Sequence, residues 1–255
     1  MLFDTHCHLN DDTLFADLDS VIERAKEAGV GNILCVGYDK ASSERALQIA
    51  EQYDFVFAAI GIHPTNSKEA TEEDFVWLES HLRDPKVVAV GEIGLDYYWD
   101  ATYKEHQQVV FRRQIHLAKQ YQLPISIHMR DATQDTLEIL QSEQSPDLKG
   151  IMHCYGGSAE MAPRFIEAGM MISLGGPVTF KNAKVPKEVA KTVPLESLLI
   201  ETDAPYLAPH PYRGKTNEPS LVRLVADEIA LLRGLSTLEI EKITWQNALR
   251  LFQIH

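Results

Sequence analysis

His6 and His8 close the apolar run Leu2–His8, one residue apart. On an extended strand, residues i and i+2 share a face, so both imidazoles aim at one point while Cys7 faces the other way. Glu92 lies near the end of Val87–Gly94, His128 ends Pro124–His128, His153 lies in Gly150–Cys154, and Asp203 follows Leu198–Thr202. His63 closes Val56–His63, just before Pro64. Burying such groups is costly unless something satisfies their lone pairs together, and a cation does so. An open catalytic metal takes three protein ligands plus water. Six ligand candidates exceed that number and suit two divalent cations. His6, His8 and Asp203 are expected on one, His128 and His153 on the other, with Glu92 bridging through its two oxygens. Two cations about 3.5–4 Å apart activate a water and clamp both oxygens of an in-line displacement. Asp203 is also the candidate general base. Imidazoles suit Zn²⁺, whereas carboxylates admit Mg²⁺ or Mn²⁺. His63 is the spare: a substrate contact, a partner that orients a ligand, or a core histidine at a strand end.

These residues need elements to position them. Two further apolar runs, Asn32–Gly37 and Met170–Gly175, bring the strand candidates to eight. Amphipathic stretches lie between them. Leu18, Val21, Ile22 and Ala25 space as one helical face before Gly29, and a long helix is expected from about Thr102 to Tyr121. The stretch Asn182–Val193 is the poorest unit because it contains Pro186. Two tail helices are expected near Ser220–Leu232 and Thr237–Leu251. Continuous apolar strands favour a parallel sheet buried on both faces. Eight βα units in 255 residues predict a (β/α)8 TIM barrel with two extra C-terminal helices, an open doubly wound sheet being the competitor. No linker or repeat divides residues 1–255, so one domain is expected. In a barrel, all the C-terminal strand ends meet on one face, where sites are built.

Composition narrows the function classes. The net charge of −13 argues against a broad basic surface for nucleic acid. Three scattered cysteines make no disulfide framework, and there is no apolar run of membrane-spanning length. The N-terminus reads MLFDTHCHLN, without a signal-peptide pattern. A cytoplasmic monomer without an obligate protein partner is expected.

With these residues in place, the sequence resembles the TatD-type metal-dependent hydrolases of the amidohydrolase-like superfamily. The matching stretches run from Leu2–Asn10 through Gly61–Pro64, Gly91–Tyr98, Pro124–Arg130, His153–Tyr155 and Glu201–Tyr206 to Arg213–Pro219. The resemblance implies the barrel and a two-metal site at His6, His8, Glu92, His128, His153 and Asp203. Glu92 stands where many superfamily relatives carry a carbamylated lysine. It further implies a metal-dependent deoxyribonuclease, often 3′→5′ exonucleolytic. The expected substrate is therefore DNA, as single-stranded or frayed 3′ ends. Arg130, Arg213 and Lys215, with His63, are the candidate substrate contacts, the cations meeting phosphate oxygens. Tyr97, Tyr98 and Trp99 follow the fourth strand and either stack on a base or pack the loop, with packing expected for at least two. Glu201 is expected to orient a histidine or arginine, and Cys154 to point into the core. Hydrolysis of a carboxylic ester or amide, such as a lactone, a cyclic amide or an aminoacyl-tRNA ester, is the alternative chemistry. A non-enzymatic metal-binding protein is the remote one.

Overall fold

In the computed structural model, which describes residues 1–254, eight strands form one parallel sheet in the order β1-β2-β3-β4-β5-β6-β7-β8. They are β1 Leu2–Cys7, β2 Val30–Val36, β3 Val56–Ile60, β4 Val87–Asp96, β5 Ile125–Arg130, β6 Gly150–Met152, β7 Met170–Leu174 and β8 Leu198–Ile200. Sequential order without reversal excludes the doubly wound sheet. The ends join through a parallel bridge between Cys7 and Ala204, with His8 N–H donating to Ala204 O (2.7 Å) and Asp203 N–H to His6 O (2.9 Å). The fold is thus a (β/α)8 barrel, and the seam that closes it runs through two of the ligand candidates.

Among the described residues, ten α-helices cover it: α1 Asp12–Phe15, α2 Leu18–Glu27, α3 Lys40–Gln52, α4 Glu72–His81, α5 Lys104–Tyr121, α6 Thr133–Ser142, α7 Ala162–Glu167, α8 Lys184–Thr192, α9 Val222–Arg233 and α10 Thr237–Phe252. Local chemistry starts several of them. Asp39 with Ser42, Thr71 with Asp74, and Ser236 with Glu239 form reciprocal capping boxes on α3, α4 and α10. Gly234 ends α9 in the left-handed conformation. The weak stretch around Pro186 is helical, with Pro186 in its first turn. Among the described residues, no helix is long and apolar enough to cross a membrane.

The strands divide their side chains between two layers with a period of two. Ile33 and Cys35 join the large core under the helices, whereas Leu34 and Val36 join a second cluster. Ala58 and Ala59, Val90 and Ala89, and Leu198 and Leu199 split the same way. The second cluster fills the barrel and is closed by Ala248, Leu251 and Phe252 of α10. Above it lies a buried hydroxyl layer, where Thr5 Oγ1 meets Ser173 Oγ at 3.2 Å and donates to Ile200 O at 2.9 Å. The interior therefore changes from apolar to polar toward the end that carries the histidines.

Two boundaries differ from the sequence reading in ways that matter to the site. β4 runs on to Asp96, because it stays paired with β5 as far as Asp96–Arg130. β3 stops at Ile60, so His63 lies beyond the strand and caps a 3-10 turn at Pro64–Asn66. Gly94 is what lets β4 and β5 approach so closely. Its φ is +139°, and a Cβ there would stand 2.0 Å from the His128 carbonyl oxygen. Gly94→Ala is expected to destabilise the fold by about 3 kcal/mol or more, through strained backbone and forced separation of the strands. Urea unfolding checks this; a loss below about 1 kcal/mol, an ordinary substitution effect, would refute the close-approach argument.

Candidate metal centre

Glu92 stands at the middle of the polar end of the barrel, 4% exposed. Its two oxygens face different partners. Oε1 lies 2.9 Å from His128 Nδ1, 2.9 Å from His153 Nε2 and 3.5 Å from His63 Nε2. Oε2 lies 3.5 Å from His6 Nε2 and 3.6 Å from His8 Nε2. Asp203 Oδ1 closes the second group at 3.8 Å from His6 Nε2 and 3.6 Å from His8 Nε2. The structure thus brings His6, His8 and Asp203 together on one side and His128 and His153 on the other, with Glu92 between. The His6 and His8 Nε2 atoms are 3.3 Å apart, as the shared strand face requires.

The outward nitrogen of each ring is held by the protein. His8 Nδ1–H donates to Val36 O at 2.8 Å, which leaves Nε2 with a free lone pair. His6 Nδ1 meets Ser126 Oγ at 3.2 Å, and the ring stacks on His153 with centroids 3.8 Å apart. His153 Nδ1–H donates to Glu201 Oε1 at 3.3 Å, which also accepts from Cys154 N–H at 2.6 Å. His128 Nε2–H donates to Asp96 Oδ2 at 2.8 Å. Glu201 thus does what the sequence reading expected of it. Asp96 is the residue that reading missed. It sits in the quoted Gly91–Tyr98 motif, but strand alternation alone does not say that β4 continues far enough to face His128.

His63 behaves differently. Thr65 N–H donates to His63 Nδ1 at 3.2 Å, so Nδ1 is unprotonated and Nε2 carries the hydrogen. Its pKa is pushed down to about 3 by burial, which outweighs the attraction of Glu92. His63 therefore presents a neutral N–H donor toward Glu92, not a lone pair. That argues against ligation and leaves the substrate-contact and ligand-orienting roles.

The loops that carry these groups are pinned by buried amides. Gln107 and Gln114, two helical turns apart on α5, each grip one residue's backbone from both sides. Gln107 accepts from Asp96 N–H (2.9 Å) and donates to Asp96 O (2.8 Å). Gln114 does the same to Ile62, at 2.8 and 3.0 Å, beside His63. Asn217 Nδ2 donates to Thr202 O and Tyr206 O, on either side of Asp203. The signal available in sequence was two polar residues seven apart on the buried face of an amphipathic helix.

The electrostatics fit a cation. Burial alone would raise the Glu92 pKa, yet His153, His63 and His128 hold it well below the usual carboxylate range. Burial would also lower His153, but Glu92 and Glu201 raise it well above an ordinary imidazole. His8 and His128 are raised against burial by Asp203, Asp96 and Glu92. The carboxylates thus favour the charged form of His153, His8 and His128, whereas burial disfavours it for His6 and His63. Glu201 Oε2 is buried with no hydrogen-bond partner among the described residues. An orphaned carboxylate oxygen beside convergent imidazole nitrogens is what a positively charged centre would compensate. Three triads bring donor atoms within 4.8 Å of one another: His6/His8/Asp203, His6/His153/Glu201 and His63/Glu92/His128.

The remaining sequence candidates lie on the rim. Arg130 is exposed at the end of β5, and Arg213 and Lys215 are exposed in the loop after β8. Arg213 stacks on Phe180 (4.5 Å) and Lys215 lies 5.8 Å from the Tyr212 ring. Tyr97 packs inward and donates to Asp135 Oδ2 at 2.8 Å, but Tyr98 and Trp99 are 53% and 68% exposed, which corrects the expectation that two of the three would pack. The loop turns after one residue because Asp96 Oδ1 accepts both Tyr98 N–H and Trp99 N–H. Cys154 is partly buried, and burial with Asp203, Glu201 and Glu92 nearby raises its thiol well above its ordinary pKa, so it is no nucleophile.

The sequence profile of the family described as TatD related DNase matches residues 3–253. The chain is 53% identical to the uncharacterized metal-dependent hydrolase YabD of Bacillus subtilis (strain 168), over the full length of both. Among solved structures, it superposes on the TatD homologue YjjV of Escherichia coli K12 with a TM-score of 0.95 and 34% identity, covering 100% of this chain and 98% of that one. A TatD family hydrolase from Entamoeba histolytica gives 0.87 and 25%, covering 98% and 97%.

Asp96→Asn is expected to weaken divalent-metal binding about 10–100-fold by releasing His128, as loss of an orienting partner does elsewhere. Calorimetric titration of the stripped protein measures it, and unchanged affinity would remove Asp96 from the centre. The raised pKa values of His153, His8 and His128 give a second expectation. Ligation requires deprotonated rings, so metal uptake releases protons and affinity climbs with pH until it passes those raised values. Titration in two buffers of different ionisation enthalpy counts the protons; a count of zero would contradict the assignment.

Proposed function

The chain belongs to the TatD-related DNase family, whose relatives are metal-dependent hydrolases, and on that premise we propose that it hydrolyses phosphodiester bonds at DNA strand ends using two divalent cations. The observation that carries this reading is the division of Glu92, one oxygen toward His128 and His153, the other toward His6 and His8. When bound, a pair of Mg²⁺, Mn²⁺ or Zn²⁺ ions supplies Lewis-acid activation and charge neutralisation for an in-line displacement. His6, His8 and Asp203 would hold one and His128 and His153 the other, with Glu92 available to both.

The side chains define where a substrate enters. His6 is fully buried, whereas Asp203, His63 and His128 keep 13, 13 and 19% of their side chains exposed. The open side of the centre therefore lies over these three. Asp203 is held in the charged form against burial by His8, His153 and His6. On the open side it accepts the proton of an attacking water. The His63 Nε2–H faces the same space and donates to a non-bridging phosphate oxygen. Arg130, Arg213 and Lys215 take neighbouring phosphates on the rim. The same centre is competent for carbonyl chemistry, so substrate identity is what the test must decide.

Glu92→Gln is expected to abolish turnover through loss of the metal pair, and Asp203→Asn to lower kcat by about 10²–10⁴ as a lost general base does. The assay is shortening of labelled single-stranded DNA with Mg²⁺ or Mn²⁺, against the chelated enzyme. Carboxylic-ester turnover far exceeding DNA cleavage by metal-verified protein would overturn the phosphodiesterase reading in favour of an esterase or amidase.

A further inference from the structure

We propose that Tyr98, Trp99 and Arg130 form a subsite for an unpaired nucleobase and its phosphate at the mouth of the metal centre. This rests on the phosphodiesterase reading and names the part of the substrate that the rim recognises.

Two adjacent aromatic side chains are left in water at 53% and 68% exposure, although Tyr97, one residue earlier, packs inward. They are not loosely displayed. Asp96 Oδ1 accepts Tyr98 N–H at 3.0 Å and Trp99 N–H at 3.2 Å, so one carboxylate shapes the turn. The two rings meet edge to face, with centroids 4.9 Å apart at 85°. The Arg130 guanidinium lies 3.7 Å from the Tyr98 centroid and 5.4 Å from that of Trp99. In a chain of net charge −13, Arg130 has no carboxylate within ion-pair distance among the described residues. A fixed aromatic corner beside an unneutralised guanidinium offers a π-face to a base and two parallel donors to a phosphate. Stacking is available only to a base outside a duplex, which fits strand ends.

Position relates the corner to the chemistry. The other oxygen of Asp96 accepts from His128 Nε2–H at 2.8 Å, and His128 is the most exposed of the histidines around Glu92. Arg130 follows His128 by two residues on β5 and is the strand partner of Asp96. One carboxylate thus fixes both a ligand candidate and the loop that presents the aromatic pair. A base stacked there would hold its phosphodiester in a constant relation to the centre.

The test compares two single-stranded oligonucleotides, one with ordinary 3′-terminal nucleotides and one whose last three carry abasic tetrahydrofuran residues. For the wild-type holoenzyme, the base-bearing oligonucleotide is expected to show a KM lower by about tenfold or more, the scale of one aromatic stack. In the Tyr98→Ala/Trp99→Ala double variant, the KM ratio should collapse toward one. Arg130→Lys should raise KM for both substrates. A ratio as large in the double variant as in the wild type would overturn the subsite. A binding measurement separates this from the failure of the nuclease reading. Titration with hexathymidylate should quench tryptophan fluorescence in the wild type, and the quench should be lost in Trp99→Phe, which keeps Trp77 and Trp245. Quenching that survives in Trp99→Phe, or none in the wild type, counts against the subsite. Quenching lost in Trp99→Phe in a protein that cuts no DNA would keep the subsite and discard the nuclease.

Discussion

Everything at the polar end of this barrel answers to one constraint, a carboxylate almost wholly withdrawn from solvent. Glu92 is surrounded by His6, His8, His63, His128 and His153 within 3.6 Å of its oxygens. An isolated buried carboxylate would take up a proton to escape its desolvation cost. Here the imidazoles keep it ionised. The arrangement is stable only if each ring stays in place, since removing one leaves charge uncompensated in low dielectric. This explains why Val36 O, Ser126, Asp96 and Glu201 each hold an outward ring nitrogen. The same fixity makes the centre suitable for cations, whose ligands must converge without rearrangement.

Holding the rings requires holding the loops beyond the strand ends, where the sheet no longer supplies backbone partners. Buried amides take over that task. A glutamine that donates to a residue's C=O and accepts from its N–H reproduces what a neighbouring strand would provide. Gln114 does so for Ile62, one residue before His63, and Gln107 for Asp96, whose carboxylate reaches His128. Because both come from one helix, α5 acts as a rigid ruler between the β3 and β4 loops. Asn217 performs the equivalent service beside Asp203, at the seam where β8 meets β1. The catalytic end is therefore built from the same hydrogen-bond currency as the sheet, supplied by side chains.

The barrel and the ligand candidates were legible in sequence for the same reason. Strand alternation places His6 and His8 together, and barrel closure brings distant strand ends to one face. Neither argument gives the hydrogen-bond partners that fix each side chain at the strand ends. His63 was left open between three roles because its tautomer depends on Thr65, a local turn interaction that periodicity does not encode. The apolar run gives no sign of Asp96, because it ends at Gly94 and the continued pairing to Arg130 depends on how closely that glycine lets β5 approach. Tyr98 and Trp99 were misplaced because side-chain exposure in a short loop follows from its turn, here set by Asp96 Oδ1. The unread features all follow from local hydrogen bonds at the strand ends, which periodicity does not encode.

The acidic surface fits the proposed substrate once charge is considered by location. A net charge of −13 repels a long duplex as a whole. At the mouth, however, Arg130, Arg213 and Lys215 stand over aromatic rings with no carboxylate at ion-pair distance among the described residues. These cations, with any metal pair below them, favour phosphate at the mouth, and in physiological salt charges farther off than a Debye length of about 8 Å are largely screened. A strand end that reaches in meets few phosphate-binding groups, each contributing about 0.7 to the logarithmic salt slope of single-strand binding. Affinity must then come mainly from the centre and from stacking, neither of which salt screens strongly. On the proposed reading, discrimination is geometric: a frayed end is admitted and the paired interior excluded, while the acidic surface disfavours nonspecific settling along a duplex.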